Sequence, residues 1–185
     1  ENTCGFTCLD GTTVREVSLP ELDELIVTEV FANPTGADAG RDWVELLHIG
    51  ESSFDLNGLQ IATSNGTSTK DWTLEAEQCL RVEPGDYKVI GGQGLSGEGI
   101  EPFVEIGSAT DTLFYASNVT ISVIREGLAL DTVGPLTVSE GTSTQLNDGS
   151  LDATSNDNPL AWCVSSGLFP ETPVGTPGTQ NGTCQ

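Results

Sequence analysis

A chain of 185 residues with 36% hydrophobic and 18% charged residues, 22 Gly and 9 Pro has apolar content for one core of ordinary size, and too much for a disordered polymer. Its 28 Asp and Glu against 6 Lys and Arg give a formal net charge of −22, which repels phosphate backbones and anionic bilayers and so disfavours direct nucleic-acid binding. No apolar run reaches the roughly 18–20 residues of a transmembrane segment, and the first residues lack a basic-then-apolar signal profile, so the chain reads as a mature form.

Residues 1–20 carry Cys4 and Cys8 but little periodic pattern, and read as a tethered leader or linker; residues 21–185 read as the domain proper. The stretch Leu25 to Phe31 is rich in β-branched and aromatic residues and stops at the turn cluster Asn33-Pro34-Thr35-Gly36, which predicts a strand and a loop. Asp42 to Ile49 predicts a second strand, closed by Gly50-Glu51-Ser52-Ser53. Short β-like runs follow at 59–63, 71–74, 79–82, 87–90 and 103–106, each bounded by Gly, Pro, Asn or Ser, while 70–80 leaves room for a helical turn. Val119–Ile124 and Ala129–Val133 predict two strands joined as a hairpin across Arg125-Glu126-Gly127. From Gly141 onward the chain is loop-like around the apolar knot Leu160-Ala161-Trp162, and is expected to wrap the body. Many short strands with frequent turn signals imply an all-β sandwich or barrel.

Five cysteines, Cys4, Cys8, Cys79, Cys163 and Cys184, contain no Cys-x-x-Cys pair and accompany a single His, so zinc-ligand spacing is absent and disulfides are the expected use. That places the chain in an oxidising compartment: secreted or at a cell surface, in the periplasm or on an outer surface. The expected pairs are Cys79 with Cys163, and Cys184 with Cys4 or Cys8. The fifth thiol is then free, joined to another chain or lipid-modified, and Cys4 leaves a lipid anchor open.

The order of motifs over residues 24–182 resembles the lamin-tail domain family, in particular its bacterial exported members. The resemblance rests on Leu25 to Pro34, on Arg41 to Leu46 (RDWVEL), on Asp55-Leu56-Asn57-Gly58, on Pro84-Gly85-Asp86-Tyr87-Lys88-Val89, on the hairpin ending Leu130-Asp131-Thr132-Val133, and on the closing segments 141–146 and 175–181. His48 stands where the family more often has Asn. The resemblance implies an immunoglobulin-like β-sandwich; it supplies no activity, because such sandwiches host unrelated functions.

For nucleophilic hydrolysis the sequence offers one base, His48, set between Leu47 and Ile49 in a predicted strand, and neither a Gly-x-Ser-x-Gly nor a phosphate-cradling Gly-rich motif. Paired carboxylates for glycoside cleavage are weighed against solvated surface acids, which so acidic a chain needs in number. Hard oxygen ligands of the kind calcium takes collect at Glu29, Asp38, Asp42 and Glu45, and again at Asp148, Asp152, Asp157 and Asn158, with no EF-hand spacing. Trp43 and Trp162 read as core and Trp72 as the exposed tryptophan. Asn65, Asn118 and Asn181 head glycosylation-type triplets that read first as turns. The expectation is a noncatalytic extracellular or cell-surface binding or scaffolding module for a protein or polysaccharide partner, with Ca²⁺ stabilisation at one acidic cluster weighed against a plain acidic surface, and with an accessory domain of a larger secreted hydrolase as the alternative.

Overall fold

The computed structural model describes residues 7–165 and 175–184. Among the described residues, fourteen strands run in chain order as β1 (Thr7–Asp10), β2 (Thr13–Glu16), β3 (Leu25–Phe31), β4 (Trp43–His48), β5 (Phe54–Asp55), β6 (Gln60–Ser64), β7 (Thr69–Thr73), β8 (Arg81–Val82), β9 (Tyr87–Gly91), β10 (Val104–Glu105), β11 (Val119–Arg125), β12 (Leu128–Leu136), β13 (Thr144–Leu146) and β14 (Trp162–Val164). Only two short 3₁₀ turns, Leu95–Glu98 and Pro159–Ala161, interrupt them among the described residues.

Six strands form one sheet in the order β10-β9-β4-β3-β13-β14, four form a second in the order β12-β11-β6-β7, and β1-β2 and β5-β8 form two small two-stranded sheets. The two larger sheets make an all-β sandwich. Val27, Val30, Val44, Leu46 and Ile90 from the first meet Ile61, Ile121, Val123 and Val133 from the second in one buried cluster. Burial at this scale, at about 25 cal/mol per Å² of apolar surface, is the main force holding the layers together.

The hairpin expected across 125–127 is present: β11 and β12 are antiparallel, and Glu126 (φ 50°) with Gly127 (φ 84°) makes the two-residue turn whose positive φ values match strand twist. The span 70–80 holds no helix; its first residues are β7, an edge strand.

Two regions differ from expectation. Residues 7–16 form a hairpin, and Leu9 bridges Gln78, its N–H donating to the Glu77 carbonyl while Cys79 N–H donates to the Leu9 carbonyl. What reads as a leader is therefore pinned to the body, and Leu19 packs against the main core. The segment after Gly141 does more than wrap. Its β13 is an interior strand of the larger sheet, paired on one side with β3 and on the other with β14.

Candidate functional site

The outer face of the six-stranded sheet, turned away from the sandwich core, gathers most of the motif residues. In β3, Val27 opposes Leu46 and Glu29 opposes Glu45, so Thr28 is an extra residue: a β-bulge. Strict alternation would place Glu29 on the same face as Leu25 and Val27, in the core. The bulge resets the alternation, which is why Val27 and Val30, three apart, both lie in the main cluster while Glu29 faces outward beside Glu45.

Both carboxyls are wholly buried, because residues 175–184 cross this face as a strap. Glu29 accepts from the Ser143 hydroxyl, from Thr176 N–H at 3.1 Å and from the Thr176 hydroxyl at 3.0 Å. Glu45 accepts from the Thr28 hydroxyl and from Gly178 N–H, each at 2.7 Å. Further along, Asn181 Nδ2 donates to the carbonyls of Thr28 and Leu146, and Gln145 Nε2 donates to the Gly182 carbonyl. Gly175 admits no side chain: a Cβ there would sit 2.9 Å from Ser143 Oγ and 3.2 Å from the Trp43 ring. Trp43 itself is fully buried and stacks on Phe31 with centroids 5.9 Å apart.

Burial dominates the electrostatics. Desolvation, and then the charge of Glu29, pushes the Glu45 carboxyl up to about 8, and burial raises Glu29 against the pull of its Ser143 and Thr176 bonds. On the other side of the sandwich Asp131, from the Leu130-Asp131-Thr132-Val133 motif, accepts from Val27 N–H at 2.7 Å and from Asn156 Nδ2 at 2.8 Å, and burial lifts it to about 6.

A second anchor lies at the start of β4. Asp42 is fully buried; its Oδ2 accepts from the N–H groups of Leu113 and Phe114 at 2.8 and 2.9 Å, and its carbonyl accepts from Gly92. Asp38 is its carboxylate neighbour, and burial together with Asp38 pushes Asp42 up to about 8. The four acids expected to share one ion thus form two pairs, Glu29 with Glu45 and Asp38 with Asp42. Among the described residues, three or more metal-ligating side chains converge only at Cys8, Asp55 and Cys79. There the sulfurs are joined in a disulfide, so the 3.4 Å approach of Asp55 Oδ2 to the Cys8 sulfur is a contact without a proton to share.

The disulfides correct the expected pairing. Cys8 bonds Cys79, and Cys163 bonds Cys184, so neither a Cys79–Cys163 pair nor a bond from Cys184 to Cys4 or Cys8 forms. The reason is local: Leu9 pairs alongside Gln78, which sets Cys8 next to Cys79, and β13 carries Cys163 on β14 to the end of the strap. Cys4 lies outside the described residues.

In the other expected cluster, Asp148 ties down the strap, while Asp152 and Asn158 serve local turns. Asp148 accepts from the Thr183 hydroxyl, Asp152 Oδ1 accepts from Thr154 and Ser155 N–H, and Asn158 caps the second 3₁₀ turn. Trp72 is half-buried, edge-on to Phe114 at 6.3 Å, and is not an exposed platform. Trp162 is also only part-buried and donates from Nε1 to the Asn156 carbonyl. His48 is buried against Phe54, and neither ring nitrogen has a hydrogen-bond partner. A groove of about 420 Å³ runs beside the strap between Tyr87, Ile100, Phe103 and Pro177, with Lys88 4.9 Å over the Phe103 ring.

Compared with protein-family models and with curated proteins, the chain gives no match.

Proposed function

We propose that this chain is a noncatalytic binding or scaffolding module of lamin-tail type, immunoglobulin-like in topology, exported to an oxidising compartment and holding a protein or polysaccharide partner. One observation carries the reading. The buried carboxyls are turned onto the chain's own N–H and hydroxyl groups: Glu29 and Glu45 onto the strap, Asp131 onto Val27 and Asn156, and Asp42, through one oxygen, onto residues 113–114. Residues arranged in this way hold segments together; a general acid or base needs reach to a substrate proton. The sole His has no route to that role, being buried without a partner. Two disulfides support an extracellular setting. The groove beside the strap, with Tyr87, Phe103 and two prolines, offers flat apolar faces suited to sugar rings or an extended peptide.

The test uses the purified chain in two assays. Chromogenic glycosides, casein and a phosphodiester should show no turnover above the buffer blank, and co-sedimentation with insoluble peptidoglycan, chitin or cellulose should retain the protein on one of them. Measurable hydrolysis overturns the noncatalytic reading. Retention on none of the three overturns the polysaccharide arm and leaves a protein partner, sought by crosslinking on the surface of the producing cell.

A further inference from the structure

We infer that Asp38 and Asp42 form a binding site for a divalent cation of calcium type at the end of the sandwich where the loops 35–42, 91–95 and 107–114 converge. Asp42 is fully buried, and its Oδ1 meets no hydrogen-bond donor at all; Asp38 Oδ1, equally shut off from solvent, meets none either. The turn in which Arg41 N–H donates to the Asp38 carbonyl brings the two residues together, and the Asp38 carboxyl acts directly on that of Asp42. A buried carboxylate oxygen left without a donor is destabilising, and a cation bound there removes that cost.

The same protein shows how it treats an acid pair that needs no ion. At Glu29 and Glu45, Ser143, Thr176, Thr28 and Gly178 all donate into the pair. At Asp38 and Asp42 only Oδ2 of Asp42 is served, by Leu113 and Phe114. The cationic side chain next to Asp42 in the chain is committed elsewhere: the Arg41 guanidinium donates to the carbonyls of Thr35 and Ala37 and pairs with Glu98 at 2.9 Å. Those bonds hold the loop that carries Asp38. A carboxylate fixed through its other oxygen by two backbone N–H groups, beside a part-buried Asp38 that water can reach, is what a weak extracellular oxygen-ligand site requires, with water completing the coordination. The inference is independent of whether the module binds or catalyses.

The experiment takes the chelator-treated, desalted full chain, titrates it with CaCl₂ by calorimetry, and titrates it with TbCl₃ while exciting tryptophan, since Trp43 directly follows Asp42. The expected dissociation constant for calcium is about 0.1–1 mM, the range of extracellular modules. At 10 mM calcium the melting temperature should rise by about 5 °C. Asp38→Asn should weaken binding by at least about 10-fold, while Asp152→Asn, in the other acidic cluster, should leave it unchanged. Absence of saturable calcium or terbium binding to the wild-type chain overturns the inference, whatever becomes of the variants. So does undiminished affinity in a folded Asp38→Asn protein. A pair that shares a proton instead of an ion would show itself by a melting temperature indifferent to calcium, and would equally sink the proposal.

Discussion

Replacing Glu45 by Gln should change how stability depends on pH while leaving the fold intact. Glu45 is nine-tenths or more buried and faces a second carboxyl across the β3–β4 register, and its carboxyl stands at about 8 instead of the ordinary 4.5. Between those two values the folded state holds a proton that the unfolded chain has released. Stability therefore falls as pH rises from about 4.5 through about 8, and is flat in this respect beyond both ends. Converted at about 1.4 kcal/mol per pH unit, the gap sets a ceiling of about 5 kcal/mol on what the wild type loses across the window through this one group.

Gln has nearly the shape of the protonated acid. Its amide can donate to the Thr28 hydroxyl and its oxygen can accept from Gly178 N–H, the two partners Glu45 has now. At pH 5 the variant should match the wild type within about 1 kcal/mol. At pH 9 it should be the more stable protein by several kcal/mol, because the buried charge is gone. Urea unfolding followed by tryptophan fluorescence at pH 5, 7 and 9 reads this directly. A difference between the two proteins that stays constant over that range, or that favours the wild type more as pH rises, refutes the reasoning from burial.

Three further outcomes follow from the same geometry. Cys163→Ser with Cys184→Ser opens a loop of sequence separation 21 and should cost about 3 kcal/mol; opening the Cys8–Cys79 loop of separation 71 should cost about 4 kcal/mol, both in the chain-entropy account. Non-reducing peptide mapping should recover those two linked pairs and no peptide joining Cys79 to Cys163. His48→Leu should be neutral or stabilising in urea unfolding, since the buried ring makes no hydrogen bond that the substitution could break. Asn156→Ala, by contrast, removes a donor from buried Asp131 and leaves its carboxyl short of a partner, and should cost about 1–3 kcal/mol, with a loss that grows above pH 6 as Asp131 ionises.

Much of the fold was legible because its long strands are locally explicit. Leu25–Phe31 is a run of β-branched and aromatic residues ended by a turn cluster, and the turn at 126–127 carries the one residue type, Gly127, that tolerates its backbone freely. β13 and β14 were not legible. Each is three residues long, and what makes Thr144–Leu146 a strand is the row of hydrogen-bonding groups that β3 offers from more than a hundred residues away. The hairpin at 7–16 hid for the same reason: its β2 is exposed throughout and shows no apolar period, and its anchor is a disulfide to Cys79. Disulfide partners follow from the finished fold, so cysteine spacing alone could not decide them.

At the candidate site, the four acids that the sequence groups together are divided in space into two pairs. Glu29, Asp38, Asp42 and Glu45 cluster in sequence, and three of the four prove wholly buried. The division into two pairs depends on the bulge at Thr28, a single inserted residue that no periodicity count detects because it breaks the period. The strap that caps Glu29 and Glu45 comes from residues 176–181, and only the resemblance of 175–181 to a closing segment marked it as more than a loop.

That observation bears on what such motifs report. RDWVEL contributes Asp42 and Glu45, the strand before it contributes Glu29, the hairpin contributes Asp131, and the closing segment contributes Thr176, Gly178 and Asn181. Every one of these side chains or N–H groups is a fastening inside the molecule. Buried polar fastenings are exacting, because removing either partner leaves a desolvated group that costs more than the bond was worth. A sandwich stapled by them can change its exposed loops freely and still fold. Its polar signature therefore specifies where segments lock, and a side chain such as Phe103, which lines the groove beside the strap without a part in the lock, is free to vary.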